Sequence, residues 1–162
     1  MSTHPFDPLA LPEFGTLLLT PCPGTKDVDL PSSIEQLKQA GAVAVVTMMP
    51  EQEMEHFGVT QLPEICHQQG LRWFNFPIED DCAPEAAFEE QWAEKKDDVL
   101  EILSHDGTVV LHCKGGTGRT GLMAAIIQKT LGVPLQKATE AVKSIRPKSL
   151  TIPAHTQYLQ SL

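Results

Sequence analysis

Apolar residues recur along this chain in short blocks separated by glycine, proline and charged turns. Gly15 to Thr20 is a compact apolar strand stopped by Pro21-Cys22-Pro23-Gly24. Ser32 or Ser33 is placed to cap a helix running through Ala40, with Gly41 just past its end. Ala42 to Thr47 is a continuous valine-rich run, the pattern of a strand buried on both faces. Gln61 to Gln69 reads as a helix ending at Gly70, and Leu71 to Phe76 as the next strand, closed by Pro77. Glu85 to Ser104 is a long amphipathic helix, with Phe88, Trp92, Val99, Ile102 and Leu103 near one face and an acidic, solvated face opposite. Thr108 to His112 is another buried strand. Arg119 to Leu131 is helical and apolar nearly all round, so it belongs at the centre. Leu135, Ala138, Val142 and Ile145 space as a half-buried helix, and Pro153 to Leu162 as a last one.

Strands alternating with helices predict an α/β domain whose mostly parallel central sheet is flanked by helices on both faces. Residues 1–13, with Pro5, Pro8 and Pro12, read as an extended N-terminal arm. The 162 residues fit a single domain, and the pattern shows no linker or repeat.

Charge narrows the partners. Twelve basic against 21 acidic residues give a formal charge of −9, which disfavours nucleic acid and anionic lipid as partners. No apolar run approaches the roughly 18 residues of a membrane helix, and the first residues lack the pattern of a secretory signal. Cys22, Cys66, Cys82 and Cys113 contain no CxxC pair, so structural zinc and a disulfide framework are poor readings. A reducing cytoplasmic setting is the expectation. Nothing in the pattern sets the oligomeric state.

The chemistry concentrates in His112-Cys113-Lys114-Gly115-Gly116-Thr117-Gly118-Arg119-Thr120. A buried strand ends at a cysteine, a glycine-rich loop follows, and an apolar helix begins. Backbone N–H groups of such a loop, with the helix N-terminus, form an anion cradle. Gly115, Gly116 and Gly118 remove Cβ atoms that would obstruct the turn. Cys113 sits at the floor, where the N–H groups and Arg119 favour the thiolate, the nucleophilic form. Arg119 supplies a planar fork for two phosphate oxygens. Thr120 is placed to donate a hydroxyl proton to the sulfur. Lys114 and Thr117 complete the loop. His112 is expected to orient it from behind through a hydrogen bond to backbone.

An oxygen leaving group must depart protonated, which requires a carboxylic acid on a nearby loop. Asp80 and Asp81 both follow the Leu71 to Phe76 strand, and position alone does not separate them. His56, His67, His105 and His155 show no ligand spacing and read as surface or core residues. Trp73, Phe74 and Phe76 read as core strand rather than a substrate platform. Cys82 reads first as a packed cysteine, and second as a partner for a reversible disulfide with Cys113.

The His-Cys-x5-Arg-Thr loop resembles the signature of the cysteine-dependent protein phosphatases, in particular their small dual-specificity branch. From about Leu19 to Leu159 the chain resembles the kinase-associated phosphatase, or cyclin-dependent kinase inhibitor 3, family. Pro23 to Val28, Glu35 to Lys38, Phe76 to Asp80 and the signature loop carry the likeness. The resemblance implies a protein tyrosine phosphatase-like fold, a cysteinyl-phosphate intermediate, no metal and no cofactor. It also implies a phosphorylated protein as substrate, on Tyr and on Ser/Thr. The family's Pro-Ile-x-Asp pattern selects Asp80 as the general acid. One departure stands out: Leu150 to His155 lacks the Gln or Glu common after the last loop. It resembles instead the Thr-Ile-Pro loop of the phosphatase and tensin homologue group, which would set Thr151 beside the phosphate loop. The bland alternative is that Thr151 only starts a helix. The Thr-Ile-Pro segment and Lys114 point to a rival reading, a phosphoinositide or small-molecule phosphomonoesterase, and the acidic balance points away from it. A sulfur-transfer loop of the rhodanese type would need neither Asp80 nor Thr120. A catalytically silent phosphate-binding module would not need the full set of catalytic residue types present here.

Overall fold

The computed structural model describes residues 2–162. Five strands, β1 (Asp7–Ala10), β2 (Thr16–Thr20), β3 (Ala42–Thr47), β4 (Arg72–Asn75) and β5 (Thr108–His112), form one sheet in the order β1-β2-β5-β3-β4. Strands β2, β5, β3 and β4 run parallel, and β1 joins the edge antiparallel to β2. Among the described residues seven helices surround it: α1 (Leu30–Gln39), α2 (Glu51–His56), α3 (Leu62–Gln68), α4 (Ala86–Ser104), α5 (Gly118–Thr130), α6 (Leu135–Ile145) and α7 (Pro153–Ser161). This is the expected α/β architecture with a mostly parallel central sheet.

Strand alternation sorts the core into two layers. Leu17, Leu19, Val109, Leu111, Ala44 and Val46 pack on the face covered by α4 to α7. Leu18, Val110 and Val45 point the other way, onto Ile34 and Leu37 of α1, Met54 of α2 and Leu62 and Cys66 of α3. Helix α5 is buried on most sides, from Arg119 to Gln128, which explains its lack of a polar face. Among the described residues no helix is long and apolar enough to cross a membrane.

Three local readings are corrected. The N-terminal arm is partly a strand: Pro8 pairs with Leu18 at the sheet edge, where a residue without an N–H is tolerated, and Leu9 is buried. Helix α1 is capped by Asp29, whose Oδ1 accepts the Ser32 N–H at 2.8 Å, three residues before Ser32 and four before Ser33. Ser33 is buried instead and donates to the Asp29 carbonyl at 2.8 Å. Helix α2 was not expected at all, because Glu51–His56 carries one buried apolar residue, Met54, and so no periodic signal.

Candidate active site

The parallel strands deliver Thr20, His112 and Thr47 side by side at the C-terminal edge of the sheet, where open α/β sheets bind ligands. The loop after β5 begins at Cys113, which is 3% exposed. Its carbonyls are tied down on the outer side. The Cys22 N–H donates to the Lys114 carbonyl at 3.0 Å, Arg146 Nε to Gly116 at 2.9 Å and Ser149 Oγ to Thr117 at 2.6 Å. Among the described residues, no backbone N–H from Lys114 to Thr117 donates to a protein acceptor. Gly116 has φ +79°, and a Cβ there would lie 2.6 Å from Pro21 N and from the Thr20 carbonyl carbon, so this glycine is sterically required. Gly115 has nothing within 4 Å of such a Cβ, and Gly118 only Ile152 Cδ1 at 3.9 Å. The steric role expected of all three glycines therefore falls on one.

Thr120 Oγ1 donates to the Cys113 sulfur at 3.0 Å. Behind the loop, His112 is fully buried within a directional chain. Trp73 Nε1–H donates to Thr47 Oγ1 at 2.8 Å, and that hydroxyl lies 2.7 Å from His112 Nε2. His112 Nδ1 lies 3.1 Å from the Cys113 carbonyl, which can only accept. The proton therefore sits on Nδ1, and Nε2 accepts from Thr47. Burial pushes the imidazole pKa down to about 4, so the ring stays neutral near pH 7.

Arg119 is 2% exposed and is gripped from three directions. Its Nη1 and Nη2 each donate to a carboxylate oxygen of Glu53 at 2.7 Å, and Nη1 also donates to the Ile78 carbonyl at 2.9 Å. Asp80 Oδ1 lies 3.5 Å from Nη2. Burial works against the guanidinium charge, but Glu53 and the surrounding anionic groups outweigh it and raise the Arg119 pKa. Nε is buried and has no protein acceptor among the described residues. A buried donor without a partner is costly, and an oxyanion at the loop would satisfy it.

The structure thus brings together Cys113, Arg119, Thr120, His112, Lys114 and Asp80. Lys114 Nζ stands 4.9 Å over the Phe57 ring, which is partly exposed at the end of α2. The Thr151 hydroxyl is not brought to the loop: it is exposed and donates to the Lys148 carbonyl at 3.0 Å. Its neighbour Ile152, which caps α7, makes the approach to Gly118 instead. Burial raises the thiol pKa of Cys22 and Cys66 to about 12. All four cysteines are free, with Cys82 partly exposed. Among the described residues no group of three or more His, Cys, Asp or Glu is arranged to hold a metal ion.

Sequence reasoning missed Glu53, Arg146 and Ser149. Glu53 lies 66 positions from the arginine it holds. Pro50 and the acidic first turn of α2 announce a helix start but carry no chemical motif.

A family model described as "Polymorphic toxin system, DSP-PTPase phosphatase" matches residues 25–132. The chain is 29% identical over 130 residues to cyclin-dependent kinase inhibitor 3 of Sus scrofa and 25% identical to that of Homo sapiens. Each alignment covers 76% of this chain, and the chain spans 60% of the length of those relatives. Among solved structures it resembles a kinase associated phosphatase whose catalytic cysteine was replaced by serine. The TM-score is 0.87 at 20% identity, over 99% of this chain and 94% of that one. A protein tyrosine phosphatase from Leishmania major gives a TM-score of 0.72 at 17% identity, over 100% and 99% of the two chains.

Proposed function

The chain belongs to the DSP-PTPase phosphatase family, and from that premise we propose that it dephosphorylates phosphotyrosine and phosphoserine or phosphothreonine in proteins through a cysteinyl-phosphate intermediate. The observation that carries this reading is the Cys113 sulfur, taking the Thr120 hydroxyl at 3.0 Å, in a loop whose backbone N–H groups from Lys114 to Thr117 have no protein acceptor among the described residues, as Arg119 Nε has none.

In the first step the Cys113 thiolate attacks phosphorus in line. The P–S bond forms as the bond to the ester oxygen breaks, and Asp80 gives that oxygen its proton. The loop N–H groups and Arg119 Nε hold the equatorial oxygens, a service of backbone and guanidinium rather than of the sulfur. In the second step water attacks phosphorus, the Asp80 carboxylate takes the water proton, and the sulfur leaves as thiolate. The Thr120 hydroxyl, 3.0 Å from that sulfur, stabilises its developing charge. Glu53 fixes the guanidinium plane, so Arg119 meets the phosphate already oriented. A phosphoprotein substrate fits the similarity to cyclin-dependent kinase inhibitor 3 and to a kinase associated phosphatase.

Cys113→Ser tests the covalent mechanism. Turnover is expected to vanish while binding of a phosphopeptide persists, because the cradle is left intact. EDTA is expected to leave the wild type fully active. Measurable turnover in the serine variant, or loss with chelator, would refute the mechanism.

A further inference from the structure

Asp80 sits in a turn that is held at its two ends from two distant helices, α5 and α7. The Cys82 N–H donates to the Glu79 carbonyl at 3.0 Å, which makes Glu79 to Cys82 a four-residue turn with Asp80 and Asp81 at its centre. Asp81 has φ +63°, a conformation that a non-glycine residue adopts at some cost, so the turn does not hold its shape by local preference alone. Its entry is fixed by Arg119, which takes the Ile78 carbonyl. Its exit is fixed by His155 of α7, whose Nε2 lies 2.9 Å from the Cys82 carbonyl, 73 positions away.

A carbonyl can only accept, so His155 Nε2 carries the hydrogen and Nδ1 keeps its lone pair. The side chain is fully buried, and Nδ1 has no partner among the described residues. Only one of the two ring nitrogens is used, and it is used on the turn. The same C-terminal stretch also holds the phosphate loop, through Arg146 on Gly116 and Ser149 on Thr117. One stretch, Arg146 to His155, therefore touches both loops of the site.

We propose that His155 is a positioning residue for the general acid: by donating Nε2–H to the Cys82 carbonyl it holds the Asp80 turn at the distance from Arg119 that proton transfer to the leaving oxygen needs. Burial also lowers the His155 pKa, which keeps the ring in the neutral form this bond describes. The proposal rests on the reading of Asp80 as the acid.

His155→Leu removes the donor and fills the buried space with an apolar side chain; His155→Gln restores an N–H. Initial rates are to be compared on phenyl phosphate and on an aryl phosphate with a strongly electron-withdrawing leaving group, with Asp80→Asn measured beside them. His155→Leu is expected to lose about 10–100-fold on phenyl phosphate and far less on the activated ester, because a misplaced acid matters only where the leaving oxygen needs its proton. His155→Gln is expected to recover most of the loss. A second readout needs no turnover. In a Cys113→Ser background, Cys82 is the one cysteine not buried, and a thiol reagent is expected to label it several-fold faster once His155→Leu frees the turn. Equal losses on both esters, or unchanged labelling, overturn the proposal while leaving Asp80 as the acid. A flat leaving-group dependence in Asp80→Asn overturns the acid assignment, and this proposal with it. If His155→Leu does not fold, His155→Asn, whose amide is too short to reach Cys82, carries the same comparison.

Discussion

The phosphate loop after β5 and the acid turn after β4 face each other across Arg119 and are built by opposite means. The phosphate loop is interior: Cys113 is 3% exposed, its backbone is tied at Lys114, Gly116 and Thr117, and Thr120 and His112 adjoin it in sequence. The acid turn is superficial, and the Asp80 side chain is 70% exposed. Its holds come from residues far along the chain, Arg119 on Ile78 and His155 on Cys82. The difference follows the chemistry. A nucleophile and its oxyanion donors gain most from rigid preorganisation. An acid that must reach many leaving groups can sit on an open loop, provided something fixes its approach.

The largest effect is expected where the two regions share one residue. Arg119→Lys keeps the charge but loses the planar fork, so it cannot hold both Glu53 oxygens and also direct an N–H at phosphate. Activity is expected to fall on the order of 10³-fold or more, the scale an arginine commands at a transferring phosphoryl group. The loss is expected for good and poor leaving groups alike, since the arginine serves the phosphoryl oxygens. A lysine variant within a factor of ten of wild type would reduce Arg119 to a point charge.

The acid turn is expected to fail selectively. Asp80→Asn should cost roughly 10²–10⁴-fold on phenyl phosphate and little on an activated aryl ester, when phosphorylation of the enzyme limits the rate. Asp81→Asn is expected to give a small uniform loss. Asp80 lies 3.5 Å from Arg119 Nη2, while Asp81 occupies the left-handed position of the turn. A steep leaving-group dependence in Asp81→Asn alone would exchange their roles.

The two regions were also unequally legible. The phosphate loop could be read because its parts are contiguous, and the strand before it and helix after it are apolar runs long enough to recognise. The acid turn was half legible: two adjacent aspartates were visible, but their difference lies in backbone conformation and in the distance to Arg119. Glu53 and His155 escaped because each acts on a partner 66 or 73 positions away and neither belongs to a local motif. Helix α2 has one buried apolar residue, too few to set a period, so the element carrying Glu53 offered only the start signal of Pro50 and its acidic first turn. The Asp29 cap had a usable signal: Pro31 favours the first turn, which places the cap before it rather than at Ser32 or Ser33.

The smallest effect concerns how the phosphate loop is backed, and it is read in stability rather than rate. His112 is buried and neutral, with Nδ1–H on the Cys113 carbonyl and Nε2 accepting from Thr47. Its pKa is about 4 in the fold, against 6.5 for an ordinary imidazole. Below pH 6.5 the unfolded chain binds a proton that the folded chain refuses, so stability present above that pH is lost as pH falls toward 4. For His112 alone this amounts to about 2 kcal/mol between pH 7 and pH 5. Burial lowers the pKa of His4 and His155 as well, which adds loss of the same sign. Urea unfolding of the wild type at the two pH values is expected to show the combined fall. His112→Gln, which offers one donor and one acceptor but does not titrate, is expected to be less stable at pH 7 and to lose less on acidification. His155→Gln is expected to remove a separate part of the slope, since that ring backs the acid turn and not the loop. Equal pH slopes in wild type and His112→Gln would mean that His112 takes up its proton as readily in the fold as in the unfolded chain, and that burial does not hold this ring neutral.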